Sequence, residues 1–228
     1  MTHISVFGAT GKVGREVCAL LTETDQATLA EAISASGTDT TLTLAEADFT
    51  GTDVVIDFST PDAVMTLLDH LQGTSLPVII GTTGFSAAQT ARLHAEADHR
   101  ALLIGANFTK GFEAFAAAAL ALSKALPEAA ITVGEVYKAG KKMAASGTTK
   151  RLSAELSEIT GKEIDLDIQR IGDTAGITTV VLDYKIATLR LELNVRTRAA
   201  YAAGAVEAAL WLVGRANGLY APKDLLAS

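Results

Sequence analysis

Cysteine is almost missing from this 228-residue chain. Cys18 stands alone, which excludes a disulfide within the chain and any cysteine metal cluster. It falls inside the first helical pattern, where a single thiol reads as a small core residue. No apolar run approaches the roughly 18 residues that a bilayer-spanning helix needs, and nothing resembles a cationic, apolar export signal, so a cytoplasmic location is the expectation. Positive charge is also in short supply. Nineteen basic residues against 26 acidic ones give a net charge of -7, which argues against a general affinity for nucleic acid or an anionic membrane. Histidine is scarce too: His94 and His99 share a polar helical pattern with Glu96 and Asp98, but no further ligand cluster converges on them, so no metal is expected.

What is present describes a globular protein. The chain is 49% hydrophobic and 20% charged, is long enough for one large or two small domains, and carries many alanines that favour packed helices. Its most informative stretch is Gly8-Ala9-Thr10-Gly11-Lys12-Val13-Gly14, directly after the apolar run Ile4-Ser5-Val6-Phe7. Glycines at these spacings permit a tight turn, close backbone approach to a pyrophosphate, and packing of the next helix on the strand. That helix starts near Lys12 and runs through Val17, Leu20 and Leu21, so its first N–H groups would face bound phosphates.

Short apolar runs alternate with helical patterns over the first half. Strands are expected at Thr28–Ile33, Val54–Asp57, Val78–Ile80 and Ala101–Ile104, with helices at about 61–71 and 86–97. This β-α-β series predicts a Rossmann-type, doubly wound parallel sheet covered on both faces. After Asn107 the grammar changes. A helix at about 110–126, a strand at Ile131–Val136, a glycine- and lysine-rich loop and a helix at about 147–160 precede strands near 164–170, 177–184 and 186–195, then a helix at about 198–214. The expected organisation is a dinucleotide-binding domain over 1–108 and a second α+β domain with a mixed, open sheet over 109–204. The tail, from about 205 to 228, returns to the first domain.

In a doubly wound sheet ligands collect at the carboxyl ends of strands. Two loops lie there: Asp57-Phe58-Ser59-Thr60-Pro61 and Gly81-Thr82-Thr83-Gly84-Phe85. The second offers backbone groups and small hydroxyls where a nicotinamide ribose and carboxamide would lie. Ser59-Thr60-Pro61 reads equally as a helix cap with proline in the first turn, and both roles can coexist. Near the end of the second strand, where an acidic residue would favour NAD, the chain has Ser34-Ala35-Ser36. With no carboxylate there to repel a 2′-phosphate, and Lys12 supplying positive charge, NADPH is expected over NADH. Glu31 opposes this if the strand ends early and brings its carboxylate to the 2′-hydroxyl. A second constellation runs from Glu135 to Thr148. A strand ends at Glu135-Val136, Tyr137 and Lys138 open a cationic loop containing Lys141 and Lys142, and Ser146-Gly147-Thr148 begins a helix. Helix-start N–H groups, two hydroxyls and nearby ammonium groups suit a small carboxylate; a solvated loop with Ser146 as a cap is the competing reading.

These motifs together resemble the dihydrodipicolinate reductase family, lysine-pathway enzymes that reduce a cyclic C=N bond with NADH or NADPH. The resemblance runs over nearly the whole chain: Gly8 to Gly14, Val54 to Pro61, Gly81 to Gly84, Ala106-Asn107-Phe108-Thr109-Lys110-Gly111, Glu135, Lys141, Ser146 to Thr148, Arg170 with Gly172 and Gly176, Arg198, and Gly218-Leu219-Tyr220. It implies a nucleotide domain hinged to a substrate domain that builds a homotetramer. It also implies cofactor contacts from Gly8, Gly11, Lys12, Gly14, Gly81, Thr83, Asn107 and Phe108, to which the reading of the turn, the second strand's end and the strand-end loops adds Thr10, Val13, Ser34, Phe58, Ser59 and Thr82 as candidates. By the same resemblance Ser146, Gly147 and Thr148 match the turn that grips a substrate carboxylate and Lys141 matches the family's catalytic-loop lysine, while the cationic loop itself adds Lys138 as a candidate substrate contact. One departure stands out. The family's histidine pair after the glutamate is replaced by Tyr137 and Lys138, and its aspartate and proline before the serine by Met143 and Ala145. All four histidines precede residue 100.

Hydride delivery to C=N leaves charge on nitrogen unless a proton arrives. An iminium already protonated needs no enzymic acid; a neutral imine or a ketone does, and Tyr137 or Lys141, with its pKa lowered by neighbouring cations, is then the candidate donor. The expected activity is NAD(P)H-dependent reduction of a small carboxylated imine, with a nucleotide-binding homologue lacking reductase activity as the alternative.

Overall fold

The computed structural model describes residues 1–140 and 143–227. Its elements are β1 (Thr2–Phe7), α1 (Lys12–Glu23), β2 (Ala27–Ile33), β3 (Val54–Asp57), α2 (Pro61–His70), β4 (Val78–Ile80), α3 (Ala87–Glu96), β5 (Ala101–Ile104), α4 (Phe112–Ala125), β6 (Ala130–Tyr137), α5 (Gly147–Thr160), β7 (Asp165–Arg170), β8 (Gly176–Asp183), β9 (Thr188–Val195), α6 (Ala199–Leu212) and β10 (Gly218–Tyr220). A 3₁₀ segment, Pro222–Ala227, closes the described chain. Two compact units result: residues up to Lys110 together with the stretch from Ala199, and Gly111–Arg198.

The first unit is a six-stranded, all-parallel sheet in the order β10-β5-β4-β3-β1-β2. Successive strand residues point to opposite faces, so each strand feeds two cores. Ile4, Val6, Val54, Ile56, Ile79 and Leu103 pack beneath α1 and α6, whereas Phe7, Ile33, Val55, Val78, Ile80 and Leu102 pack beneath α2 and α3. In α2 the fully buried Val64, Leu67 and Leu68 sit at i, i+3 and i+4, and burying each such side chain contributes about 1.5–3 kcal/mol. Thr60 caps this helix through Ala63 N–H with Pro61 in its first turn, and Ser86 with Gln89 forms a reciprocal capping box on α3. No helix joins β2 to β3; instead Leu42 N–H donates to the Ala32 carbonyl at 2.8 Å and Ser34 N–H to the Leu42 carbonyl at 2.9 Å, folding residues 34–53 along the sheet edge.

The return to this unit begins at Ala199, earlier than the position near 205 expected from the sequence. The reason is packing: Ala202, Ala205, Ala208, Ala209 and Leu212 join the sheet core, and Gly204 lies so close to the Phe108 carbonyl that a Cβ there would sit 1.8 Å from its oxygen. β10, which the periodicity does not reveal, adds a short parallel strand beside β5.

The second unit is a four-stranded mixed sheet, β7-β6-β8-β9, parallel between β6 and β7 and antiparallel elsewhere. One face packs Ile131, Val133, Val180 and Leu182 against Phe112, Ala116, Ala119, Leu152 and Leu156 of α4 and α5. Arg151 ties the two helices, reaching Glu113 at 2.5 Å and Glu155 at 2.9 Å.

Candidate functional site

In the first unit, β1 lies between β2 and β3, so the chain leaves in opposite directions on either side of it. The crevice at that switch point is where doubly wound sheets bind ligands. The glycine turn sits there. Gly8 has φ +85°, and a Cβ on it would come within 2.4 Å of the Phe58 carbonyl oxygen; on Gly14 it would lie 2.2 Å from the Gly8 carbonyl oxygen. Both are backbone-to-backbone approaches that only glycine permits. Gly11 is the N-cap of α1 and has no side chain to cap with, and the first turn carries no acidic residue. The helix therefore presents uncapped N–H groups and the positive end of its dipole to solvent beside Thr10 and Lys12, both exposed; Val13 is half-buried against the sheet core.

Next to this turn lies a cavity of about 370 Å³ lined by Thr10, Arg15, Cys18, Leu29, Thr40 and Thr41, with no carboxylate among its described lining residues. Ser34 is buried, its hydroxyl 2.8 Å from that of Thr41. Glu31 is committed elsewhere: its two carboxylate oxygens accept the N–H groups of Asp48 and Phe49, each at 3.2 Å. This holds a turn in which Phe49 adopts φ +54°.

The strand-end loops converge on the same edge. Phe58 N–H donates to the Phe7 carbonyl at 2.9 Å, Gly81 N–H to the Asp57 carbonyl at 2.9 Å, and Gly105 N–H to the Ile80 carbonyl at 3.0 Å, so each loop is stitched to the end of the neighbouring strand in the sheet. The Phe58 ring lies over Gly81, where a Cβ would come within 2.1 Å of it, and stands edge-on to Phe108 with centroids 5.8 Å apart. Thr82 is buried and Thr83 exposed. Asn107 accepts Thr109 N–H on its side-chain oxygen at 2.8 Å, an Asx turn that shapes the segment after β5. Ser59 donates both its N–H, at 3.0 Å, and its hydroxyl to Asp57 Oδ1. Burial pushes the Asp57 carboxyl up to about 6 despite the hydrogen bonds from Ser59 and Thr82.

In the second unit, the start of α5 is built on Glu135. Ser146 N–H donates to its Oε2 at 3.0 Å, the Thr149 hydroxyl donates to the same oxygen, and Arg170 donates to Oε1 at 2.7 Å. The Glu135 and Arg170 side chains are 0% and 4% exposed. Burial would raise the Glu135 carboxyl, but Ser146, Thr149 and Arg170 together outweigh it and hold it below the ordinary range. Arg170 also reaches the Ala144 carbonyl at 2.9 Å, which fixes the approach to Ser146-Gly147-Thr148. The Ser146 hydroxyl accepts Thr149 N–H at 3.2 Å, so Ser146 is the helix cap. Tyr137 ends β6 half-buried, with the Arg170 guanidinium 5.7 Å from its ring centroid. Lys138 is exposed; Lys141, the candidate catalytic lysine, lies outside the described residues. Among the described residues no group of three or more histidine, cysteine, aspartate or glutamate side chains could hold a metal ion, and no helix is long and apolar enough to cross a membrane.

Comparison with known proteins is decisive. The family model for the N-terminus of dihydrodipicolinate reductase matches residues 2–108, and that for its C-terminus matches 111–226. The chain belongs to the dihydrodipicolinate reductase family. It is 31% identical to the 4-hydroxy-tetrahydrodipicolinate reductase of Wolinella succinogenes, with 99% of each chain covered. It is also 31% identical to that of Alkalilimnicola ehrlichii, covering 99% of this chain and 98% of the other. A dipicolinate-bound dihydrodipicolinate reductase from Paenisporosarcina sp. TG-14 has the same fold, with a TM-score of 0.79 at 17% identity over 97% of both chains.

The histidines of this chain all lie in the first unit. His3 pairs with Asp53, and His70 lies 3.1 Å from the Ala47 carbonyl and edge-on to Phe49. His94 belongs to α3 and His99 follows it. The second unit has none. Two buried residues escape a reading by pattern: Thr149, which completes the grip on Glu135, and Asp57, whose only sequence signal is a charge at the end of the apolar run Val54-Val55-Ile56.

Proposed function

We propose that this chain is an NAD(P)H-dependent reductase acting on the C=N bond of a small cyclic imine that carries carboxylates, the 4-hydroxy-tetrahydrodipicolinate for which its relatives are named or a close analogue. The observation that carries the reading is the glycine turn. Gly8, Gly11 and Gly14 form a cradle that side chains would fill, at the switch point of a parallel sheet and against an uncapped, acid-free helix start, which fits a dinucleotide pyrophosphate. Bound NAD(P)H supplies the hydride.

Gly8, Thr10, Gly11, Lys12, Val13 and Gly14 hold the phosphates. Phe58, Ser59, Gly81, Thr82, Thr83, Asn107 and Phe108 bound the nicotinamide half. NADPH is the preferred form. Two features support this reading: both Glu31 oxygens serve the turn at residues 48–49, and Arg15 with the hydroxyls of Thr10, Thr40 and Thr41 suits a 2′-phosphate. The substrate's carboxylate is taken at Ser146-Gly147-Thr148 with Lys138 and Lys141 adding charge, on a helix start that Glu135 and Arg170 keep rigid. The proton reaching nitrogen comes from Tyr137 or Lys141 or is already on the substrate as an iminium. The active form is a homo-oligomer, a tetramer by family resemblance. Its supporting feature is the second sheet face, bearing Thr132, Val136, Ile177 and Val181, which register places opposite the face packed by α4 and α5.

The test is the oxidation of NADPH, then NADH, followed at 340 nm with freshly generated dihydrodipicolinate-type substrate and a panel of cyclic imines and keto acids. Turnover with at least one imine and tighter NADPH than NADH is expected; absence of binding for both reduced nucleotides refutes the proposal.

A further inference from the structure

The apolar run Val54-Val55-Ile56 ends in a carboxylate that the proposed reaction does not use. Asp57 is fully buried, and its Oδ2 is also buried with no hydrogen-bond partner among the described residues. A lone carboxylate in a core costs stability unless its oxygens are satisfied, and an apolar residue would end this strand at less cost. Its other oxygen shows what it holds. Oδ1 accepts both the N–H and the hydroxyl of Ser59, and the same Ser59 N–H lies 2.9 Å from the Thr82 hydroxyl. The Asp57 carbonyl accepts Gly81 N–H at 2.9 Å. One residue thus binds the turn after β3 to the loop after β4. The first of these carries the Phe58 carbonyl that abuts Gly8 and the Phe58 ring that covers Gly81.

We infer that Asp57 is a positioning residue for the nicotinamide half of the cofactor, acting through Ser59 and Thr82 to fix the spacing of the Phe58–Ser59 turn and the Gly81–Thr83 loop. This deepens the proposed dinucleotide site and rests on it. Asp57 does not touch the reacting atoms; it sets the shape of the wall that does. Burial disfavours its charged form, and no charged side chain among the described residues contributes to that shift, so what Asp57 supplies is its hydrogen bonding to Ser59 and Gly81.

The experiment measures equilibrium binding, not turnover. The intact protein and its Asp57→Ala, Asp57→Asn, Ser59→Ala and Thr82→Val variants are titrated with NADPH by nucleotide fluorescence and with adenosine 2′,5′-bisphosphate by calorimetry. The bisphosphate carries only the adenosine half. Asp57→Ala and Thr82→Val should weaken NADPH about tenfold and leave the bisphosphate within about twofold, and Asp57→Asn, which keeps an acceptor for Ser59, should recover most of the loss. Unchanged NADPH affinity in Thr82→Val and Ser59→Ala overturns the inference even if Asp57→Ala does not fold. So do equal losses for both ligands, the mark of general damage. Should the unmodified protein bind neither ligand, the dinucleotide reading itself fails, a result distinct from variants that bind as well as the parent.

Discussion

Exchanging Glu135 for glutamine tests whether the start of α5, the proposed substrate-binding turn, is organised by a buried charge. The side chain keeps its shape but loses its charge, and the oxygen that now receives Ser146 N–H and the Thr149 hydroxyl becomes an NH₂ group or, if the amide flips, leaves an NH₂ facing Arg170. Either way two donors confront each other in a buried site. Removing one partner of a buried ion pair costs about 3–5 kcal/mol, and Arg170 keeps the carbonyls of Ala144 at 2.9 Å and Gln169 at 2.7 Å, so the expected loss is at the low end, about 3 kcal/mol. Arg170→Met should cost a similar amount by stranding the carboxylate. The double variant should lose far less than the sum, giving a coupling of about 2–3 kcal/mol. Urea unfolding followed by tyrosine fluorescence and circular dichroism reads these values. The sign with pH is also set: the folded carboxyl is held below its unfolded value of about 4.3, so its contribution is complete above that pH and disappears as pH falls through the folded value. Parent and Glu135→Gln stabilities should therefore converge in acid. A coupling near zero, or a difference that persists unchanged at low pH, refutes an organising role for the pair.

Gly14→Ala places a methyl 2.2 Å from the Gly8 carbonyl oxygen and 3.0 Å from Ala9 Cα, so the backbone must move; thermal denaturation should show a loss of about 1–3 kcal/mol, and NADPH titration a clear drop in affinity. Asp57→Asn should change the pH dependence of stability in the opposite sense to Glu135. The native carboxyl titrates near 6, above the unfolded value, so the native state binds the extra proton between about pH 4 and 6 and stability falls across that window as pH rises, by about 3 kcal/mol in total. Urea midpoints from pH 4 to 7 should lose that slope in the variant. Arg15→Ala should raise the Michaelis constant for NADPH about tenfold while leaving that for NADH nearly unchanged, which steady-state kinetics with both nucleotides decides.

Much of the first unit was legible because its strands and helices differ in period. Val54–Asp57 and Val78–Ile80 are short apolar runs, and α2 shows its buried stripe at Val64, Leu67 and Leu68. The glycine turn was legible for a different reason: Gly8, Gly11 and Gly14 are demands of backbone geometry, and such demands survive in sequence as glycine itself. α6 was harder to place. Its alanines and glycine are apolar all round, so no face announces which sheet it covers; the burial of Ala202, Ala205, Ala208, Ala209 and Leu212 in the first sheet's core and the approach of Gly204 to Phe108 resolve it. β10 is three residues long with an exposed leucine, too short for alternation to register. Glu31 was legible as a carboxylate near the end of β2 but its partners were not, since they lie 17 and 18 residues onward in a turn whose path no local pattern specifies.

Asp57 and Glu135 show why the chemistry of a site lags its fold in this kind of reading. Each is buried near the carboxyl end of an apolar strand, and on burial alone each would be raised. What separates them is the company the fold brings. Glu135 receives a guanidinium from β7, 35 residues away, and the first turn of a helix, whose aligned donors favour the charged form. Asp57 receives neutral donors from Ser59 and Thr82, and its Oδ2 has no hydrogen-bond partner among the described residues, so desolvation prevails. The two carboxylates therefore respond to acid in opposite ways within one chain: protonation relieves the first unit at Asp57 and loosens the second at Glu135. The first unit is most stable below the window in which Asp57 ionises, while the second needs the charged glutamate, so the two are jointly best supported at about pH 4, at the acid end of the Asp57 window and just above the range in which Glu135 takes its proton.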